Sequence, residues 1–369
     1  MALVALQTES FRNLVAGSHQ FSTSVNLIYG ANGSGKTSLL EAIGYLGLGR
    51  SFRQNRHQSV CSHDASRFVV FGKLLSGGRD DRLTEHRLGF SRDLAAKETR
   101  LRVDGETVVS LSSLAALFPV SVIDPGVFDI VAGGPGKRRQ FLDWLVFHVE
   151  PSFGSLWLQC QRVISQRNQM LRSGRLDGPQ MKVWDRQFVT LAEKVNLHRQ
   201  KVFDRFAAEV RALLEEIPAL WSGPVAFDYF PGWDSGKGLQ EVLELHSAQE
   251  RKVGYTLYGP NRSDIRVKYH NRNVAETFSR GQQKTLVILM KLAQARVLRK
   301  EGKQITFLLD DINAELDSAH RTLLAAQLQA LGSQVFLTTI ERPEPEELWQ
   351  NTLPDYRMFH VEHGRLTEE

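Results

Sequence analysis

The sequence predicts an α/β fold: a phosphate-loop head with an antiparallel β section and an inserted α-helical arm. Three observations predict it. An apolar stretch, Val25–Tyr29, runs into a glycine-rich turn and then a helix-like segment from Lys36 to about Leu48. A second apolar stretch, Ile305–Leu309, ends in Asp310-Asp311 roughly 270 residues later. Between them lies a long region whose apolar residues recur at three- and four-residue steps.

The early segments justify the β section. Ala2–Leu6 and Val25–Tyr29 read as short strands, and Arg67–Leu75, Arg87–Phe90, Thr99–Val103 and Thr107–Val109 alternate in character. Asp104-Gly105 separates the last two and predicts a hairpin turn. From Gly136 the texture becomes helical. Lys137-Arg138-Arg139 opens an apolar stretch to Val149, and two long stripes follow, Phe153 to Leu171 and Trp184 to Ile217. The breakers Ser173-Gly174-Arg175 and Asp177-Gly178-Pro179 between them predict an antiparallel helical hairpin whose aromatics are core. After Gly254 the α/β texture returns: a helix within Thr277–Arg299, the strand Ile305–Leu309, a helix over Ala319–Leu331 and a strand over Gln334–Thr338.

Composition narrows the class. The chain has 369 residues, 42% hydrophobic and 24% charged, which excludes a disordered chain or a collagen-like repeat. Lys+Arg 46 against Asp+Glu 41 is a mild basic bias that permits a polyanionic partner. Cys61 and Cys160 are far apart and predict reduced thiols in a cytoplasmic protein. The N-terminus does not read as a signal peptide, and no apolar run approaches the roughly 18 residues of a membrane span.

The chemistry starts at Gly30-Ala31-Asn32-Gly33-Ser34-Gly35-Lys36-Thr37, a full match to G-x-x-x-x-G-K-[ST] between a strand and a helix. Its glycines let the backbone curl so that successive N–H groups converge on phosphate oxygens at a helix N-terminus. Lys36 is expected on the β/γ-phosphates and the Thr37 hydroxyl on Mg²⁺. Asp310 ends a buried strand and is expected beside the same ion, with Asp311 placed to polarise an attacking water. Ser279-Arg280-Gly281-Gln282-Gln283 opens a further helix. Such a start is an anion site, and a second one on a separate element suggests a γ-phosphate presented by another subunit.

These elements stand in order with others: Phe11-Arg12-Asn13-Leu14, Leu40-Glu41-Ala42-Ile43, Gly49-Arg50-Ser51-Phe52-Arg53, Gly133-Gly134-Pro135 through Arg139, Phe141-Leu142-Asp143-Trp144, Gln166-Arg167-Asn168, Gly259-Pro260 and Glu315-Leu316-Asp317. The set resembles ABC-type P-loop ATPase heads and, more closely, the RecF family of bacterial recombination mediators, relatives of the Rad50 and SMC heads. The resemblance spans nearly the whole chain. It implies a discontinuous head, residues 1–135 and 254–369, with a helical arm domain at 136–253. It implies that Arg12, Asn13, Gly30 to Thr37 and Ser38 hold ATP, that Thr37 and Asp310 hold Mg²⁺, and that Lys36, Asp311, Ser279, Gly281 and Gln282 act in catalysis. It implies an ATP-dependent homodimer that binds junctions of single- and double-stranded DNA or gapped duplex, hydrolyses ATP slowly, and works with other recombination mediators in repair, replication restart and the SOS response. Candidate DNA contacts are Arg50, Arg53, Arg56, Lys137, Arg138 and Arg139.

The departures from the pattern carry information too. Asp311 stands where many such ATPases have Glu, Ala314 where the D-loop usually has Ser, Asn261 where His is common, and Thr338-Thr339 at the position of the transporter switch His. The Q-loop glutamine has no clear counterpart; Asp124-Pro125 is the nearest region. Two alternatives of other classes are a transporter ATPase subunit and a P-loop small-molecule kinase. The first lacks its switch His and Q-loop; the second leaves Ser279–Gln283 without a role.

Overall fold

The computed structural model describes residues 1–54, 57–77, 83–173, 178–217, 223–312, 316–348 and 354–369. Its contacts divide the chain into two compact units, Met1–Val127 with Leu298–Glu369, and Phe128–Val297.

The first unit carries two sheets. One has the strand order Arg365–Glu368, Tyr356–Glu362, Val25–Tyr29, Gln334–Thr339, Thr306–Leu309, Val120–Ile123. All its pairings are parallel except the C-terminal hairpin. The strands Thr306–Leu309 and Gln334–Thr339 are buried at every residue, as a parallel sheet covered on both faces demands. Leu27, Leu337, Leu309 and Ile123 lie in one row across it. The turn after Tyr29 and the aspartates after Leu309 therefore leave the sheet at the same, carboxyl-terminal edge. That edge is where ligands sit in open α/β sheets.

The other sheet is antiparallel, in the order Gly17–Gln20, Ala2–Glu9, Arg67–Gly77, Leu83–Asp93, Glu98–Val103, Glu106–Val108. The expected hairpin at Asp104-Gly105 is present: Val103 pairs with Glu106, and both turn residues have positive φ (53° and 88°). The strand expected at Arg87–Phe90 runs from Leu83 to Asp93. Its outer residues are largely polar and half-exposed or exposed, so hydrophobic patterning saw only the buried middle. The helix Lys36–Leu48 supplies Leu39, Leu40, Ile43 and Leu46 to a core shared with Val70, Leu88 and Phe90 of the antiparallel sheet and Leu308 and Phe336 of the parallel one. Its first residue is thereby fixed relative to both.

The second unit is built on helices Pro135–Val149, Phe153–Ser173, Gly178–Glu216 and Arg280–Lys300, the last reaching just past the boundary, with a small antiparallel sheet of Arg272–Asn273, Asp264–Tyr269 and Val225–Phe230. The expected aromatic stripes are core: Phe153, Phe188 and Phe206 are fully buried. The breaker loop of the helical hairpin, 174–177, falls outside the described residues. The unit boundaries differ from those expected at 136 and 253. The strand Val225–Phe230 pairs residue by residue with Asp264–Tyr269, which binds the chain after Gly254 to the helices.

Buried ionic networks hold this unit together. Arg199 is fully buried, donates to both Asp143 carboxylate oxygens (2.7 and 2.9 Å) and to the Pro260 carbonyl (2.6 Å), and lies over the Trp157 ring. Arg167 bonds Asp185 (2.9 Å), Glu250 (2.5 Å) and Thr256 (2.9 Å). Asn168 accepts from the Thr256 backbone and hydroxyl. Among the motif residues singled out in sequence, Asp143, Arg167, Asn168 and Pro260 thus serve packing inside this unit.

Candidate nucleotide site

The strand Val25–Tyr29 stops at Gly30, and the helix begins at Lys36, as the motif requires. Gly33 (φ 78°) and Gly35 (φ 120°) take backbone conformations that a Cβ disfavours. Asn13 fastens the loop from outside: its amide nitrogen donates to the Gly33 carbonyl (3.2 Å), and its carbonyl oxygen accepts from the Ser38 hydroxyl (2.8 Å). Arg12 holds the helix itself. Its guanidinium makes a two-point contact with Glu41 (2.9 and 2.8 Å) and a further bond to the Ser59 carbonyl. Glu41 is fully buried and also accepts from Ser51, whose oxygen in turn accepts from the Arg53 and Gln54 backbone.

Lys36 folds over its own loop, donating to the carbonyls of Gly30 (2.7 Å) and Ala31 (3.0 Å). Burial pulls its pKa below the ordinary lysine value, and the charges of Asp311 and Asp310 oppose that shift. The Thr37 hydroxyl donates to Asp310 Oδ1 at 2.9 Å. Burial raises the Asp310 pKa; hydrogen bonds from Thr37 and Thr338 and the charge of Arg53 work against the rise. Thr338 is the residue that sequence reading undervalued. It is fully buried, its hydroxyl lies 3.0 Å from Asp310 Oδ1, and it accepts the Asp311 N–H at 2.9 Å. The resemblance puts Thr338-Thr339 at the switch position, and the register with Thr306–Leu309 brings Thr338 to Asp310. Asp311 has positive φ (51°), a left-handed turn of the chain directly after the strand.

The donor set fits a phosphate ligand with a hard divalent ion. Thr37 and Asp310 bring two oxygen atoms within hydrogen-bond distance, the kind of incomplete donor set that suits a hard divalent ion completed by phosphate and water. Ser34 Oγ is buried with no hydrogen-bond partner among the described residues, leaving a donor in the loop unspent. No cluster of three or more His, Cys, Asp or Glu side chains that could hold a metal occurs among the described residues.

Ser279 and Gln282 form a reciprocal cap on the helix Arg280–Lys300. Ser279 N–H donates to Gln282 Oε1 (2.9 Å), and Gln282 N–H donates to Ser279 Oγ (3.3 Å). Ser279, Gly281 and Gln282 are exposed and belong to the second unit. The structure thus gathers Asn13, the Gly30–Ser38 loop, Thr37, Asp310 and Asp311 in one unit and the Ser279 helix start in the other.

The basic candidates separate. Arg50 and Lys137 are exposed. Arg53 is exposed too, but its charge acts on Asp310, which ties it to the nucleotide site. Arg138 grips Asp264 at two points (2.7 and 3.1 Å) and the Gly133 carbonyl (2.7 Å), and Arg139 donates to the Ser263 carbonyl (2.8 Å). Both are half-buried and spend these donors on internal ties, unlike Arg50 and Lys137. Arg56, Ala314 and Glu315 lie outside the described residues.

Comparisons with known proteins decide the family. The family model described as RecF/RecN/SMC N terminal domain matches residues 2–366. The chain belongs to the RecF/RecN/SMC family. Within it, the chain is 64% identical to the DNA replication and repair protein RecF of Marinobacter nauticus, over 100% of both chains. It is 38% identical to the RecF of Shewanella oneidensis, over 100% of this chain and 99% of that one. The fold of this RecF-family chain matches a solved recombination mediator protein RecF with ATP, with a TM-score of 0.87, 24% identity, and coverage of 100% and 97%. An SMC head bound to the C-winged helix domain of ScpA matches more distantly, with a TM-score of 0.58, 15% identity, and coverage of 100% and 97%. No helix among the described residues is long and apolar enough to cross a membrane.

Proposed function

We propose that this chain is an ATP-switched, DNA-binding protein of DNA replication and recombinational repair. The observation that carries the reading is the 2.9 Å contact of Thr37 with Asp310 beside the Lys36 loop, in a chain collinear with RecF proteins over its whole length. Family membership sets aside the transporter and kinase alternatives.

In this reading the Gly30–Thr37 backbone and Lys36 bind the phosphates of ATP. Lys36 exchanges the Gly30 and Ala31 carbonyls for phosphate oxygens. Thr37 and Asp310 would hold Mg²⁺, which neutralises charge on the β- and γ-phosphates. Asp311 orients a water and takes its proton; a carboxylate one methylene shorter than Glu reaches less far, so turnover is slow. Ser279, with the N–H groups after it, caps the γ-phosphate of a second copy, so ATP joins two chains and hydrolysis releases them. The joined form clamps gapped DNA through exposed cations such as Arg50 and Lys137, without reading bases.

Binding of fluorescent gapped duplex by the full chain, with MgATP, MgADP or no nucleotide, tests this. The reading expects tight binding with MgATP alone, weakening as salt rises. Equal DNA affinity in all three conditions contradicts it.

A further inference from the structure

The C-terminal hairpin pairs Tyr356–Glu362 with Arg365–Glu368 through a two-residue turn, His363-Gly364. Both turn residues have positive φ (46° and 76°), the geometry of a tight I′ connection. A turn of this kind normally projects into solvent. This one is pressed onto the phosphate loop. Gly364 N–H donates to the Ser34 carbonyl at 2.7 Å, and the Gly364 carbonyl accepts from Val15 N–H at 2.9 Å. A Cβ on Gly364 would fall 1.8 Å from the Asn13 carbonyl oxygen, and a Cβ on Gly35 would stand 3.3 Å from the Gly364 Cα. The hairpin also backs the start of the loop: a Cβ on Gly30 would lie 2.3 Å from the Val361 carbonyl oxygen. The far end is tied down by Glu369, which accepts from the Tyr29 hydroxyl and from Arg342.

We infer that Gly364 is a positioning residue for nucleotide binding, and that the C-terminal turn sets the curl of the phosphate loop before nucleotide arrives. The inference rests on the nucleotide reading of that loop. Its physics is preorganisation: Ser34, whose carbonyl Gly364 holds, is flanked by Gly33 and Gly35, two residues that would otherwise sample many conformations. Asn13 grips the loop one residue earlier, at the Gly33 carbonyl, and Gly364 sits against the Asn13 backbone. The turn therefore supports both attachments. No residue of the turn needs to touch the ligand.

The test uses the full chain. In Gly364→Ala, calorimetric MgATP affinity is expected to fall about tenfold, and KM for ATP to rise by the same factor with kcat within about twofold, since a misplaced loop costs binding before chemistry. Amide hydrogen exchange of Ser34–Thr37 in the nucleotide-free protein is expected to accelerate. Unchanged affinity, or a loss of kcat with KM unmoved, overturns the inference. If Gly364→Ala does not fold, Val15→Pro removes the N–H donated to Gly364 from an exposed position. That variant is expected to bind MgATP several-fold more weakly, and wild-type affinity there overturns the inference. Failure of the wild-type chain itself to bind MgATP contradicts the nucleotide reading instead, so the two failures are distinct.

Discussion

Thr37, at the start of the phosphate-loop helix, donates a 2.9 Å hydrogen bond to Asp310, 273 residues later in the chain. The parallel sheet makes the meeting possible. Its strands place the exits of Val25–Tyr29 and Thr306–Leu309 on one edge, with Gln334–Thr339 between them delivering Thr338 to the same carboxylate.

Asp310→Asn separates stability from function. Burial raises the Asp310 pKa, so the folded protein holds this proton to a higher pH than the unfolded chain does. Stability therefore falls as pH climbs from the ordinary aspartate range through the raised value, and the whole cost is present above it. In nucleotide-free protein at pH 7, Asp310→Asn should melt a few degrees above wild type, with the gap closing below the ordinary aspartate pKa. The same variant should lose Mg²⁺-dependent ATP hydrolysis. Calorimetric melting across pH checks the first expectation and phosphate release the second; a lower Tm at pH 7 contradicts the account of burial.

Ser279→Arg should leave MgATP affinity within about twofold of wild type and block nucleotide-dependent self-association, by putting bulk where the opposite γ-phosphate belongs. Ser279→Ala is the companion: it removes the hydroxyl that accepts the Gln282 N–H, at about 1 kcal/mol, and keeps the Ser279 N–H bond to Gln282 and the backbone N–H groups of the helix start. Gel filtration with and without MgATP reads the difference, and an associating Ser279→Arg would refute the trans cap.

Lys137 and Arg138 are adjacent and should behave oppositely. Lys137→Ala should leave the melting temperature alone and reduce the salt slope of DNA binding by about one. Arg138→Ala should cost about 2 kcal/mol in urea unfolding, because it strands the half-buried Asp264 carboxylate. It should leave the salt slope where it was. Equal slopes for Lys137→Ala and wild type would remove Lys137 from the DNA surface.

Arg199→Met should destabilise the chain by about 3–5 kcal/mol, since Asp143 loses its buried partner. Adding Asp143→Leu should recover much of that loss, and chemical denaturation of the four proteins in the cycle measures the coupling. Additive losses would mean that the pair does not act as a unit.

Much of the fold was legible because local chemistry and tertiary demand agree. Val25–Tyr29 is apolar and ends at a glycine, and the strand has those bounds. Asp104-Gly105 can hold positive φ, and the hairpin turns there. The meeting of Thr37 with Asp310 was legible too, because a phosphate loop calls for a buried strand that ends in acids at the same sheet edge. What escaped was pairing across distance. Nothing in the order of residues pairs Arg167 or Arg199 with a partner, yet both are buried because Glu250, Thr256, Asp143 and Pro260 come from other elements. In the sequence Glu41 stands in a motif without a partner, and the fold closes Arg12 and Ser51 on it. Arg138 and Arg139 read as a basic patch until Asp264 and Ser263 take up their donors. Charge patterns show where ions stand in the chain, but only the fold decides which of them face water.

The most direct measurement is sedimentation velocity of the full chain as MgATP is added, with Lys36→Met alongside. The account predicts a monomer that becomes a dimer with MgATP, does not with MgADP, and stays a monomer throughout in Lys36→Met. One sedimentation coefficient under all three nucleotide conditions, or a Lys36→Met protein that dimerises as the wild type does, would contradict a triphosphate shared between two copies.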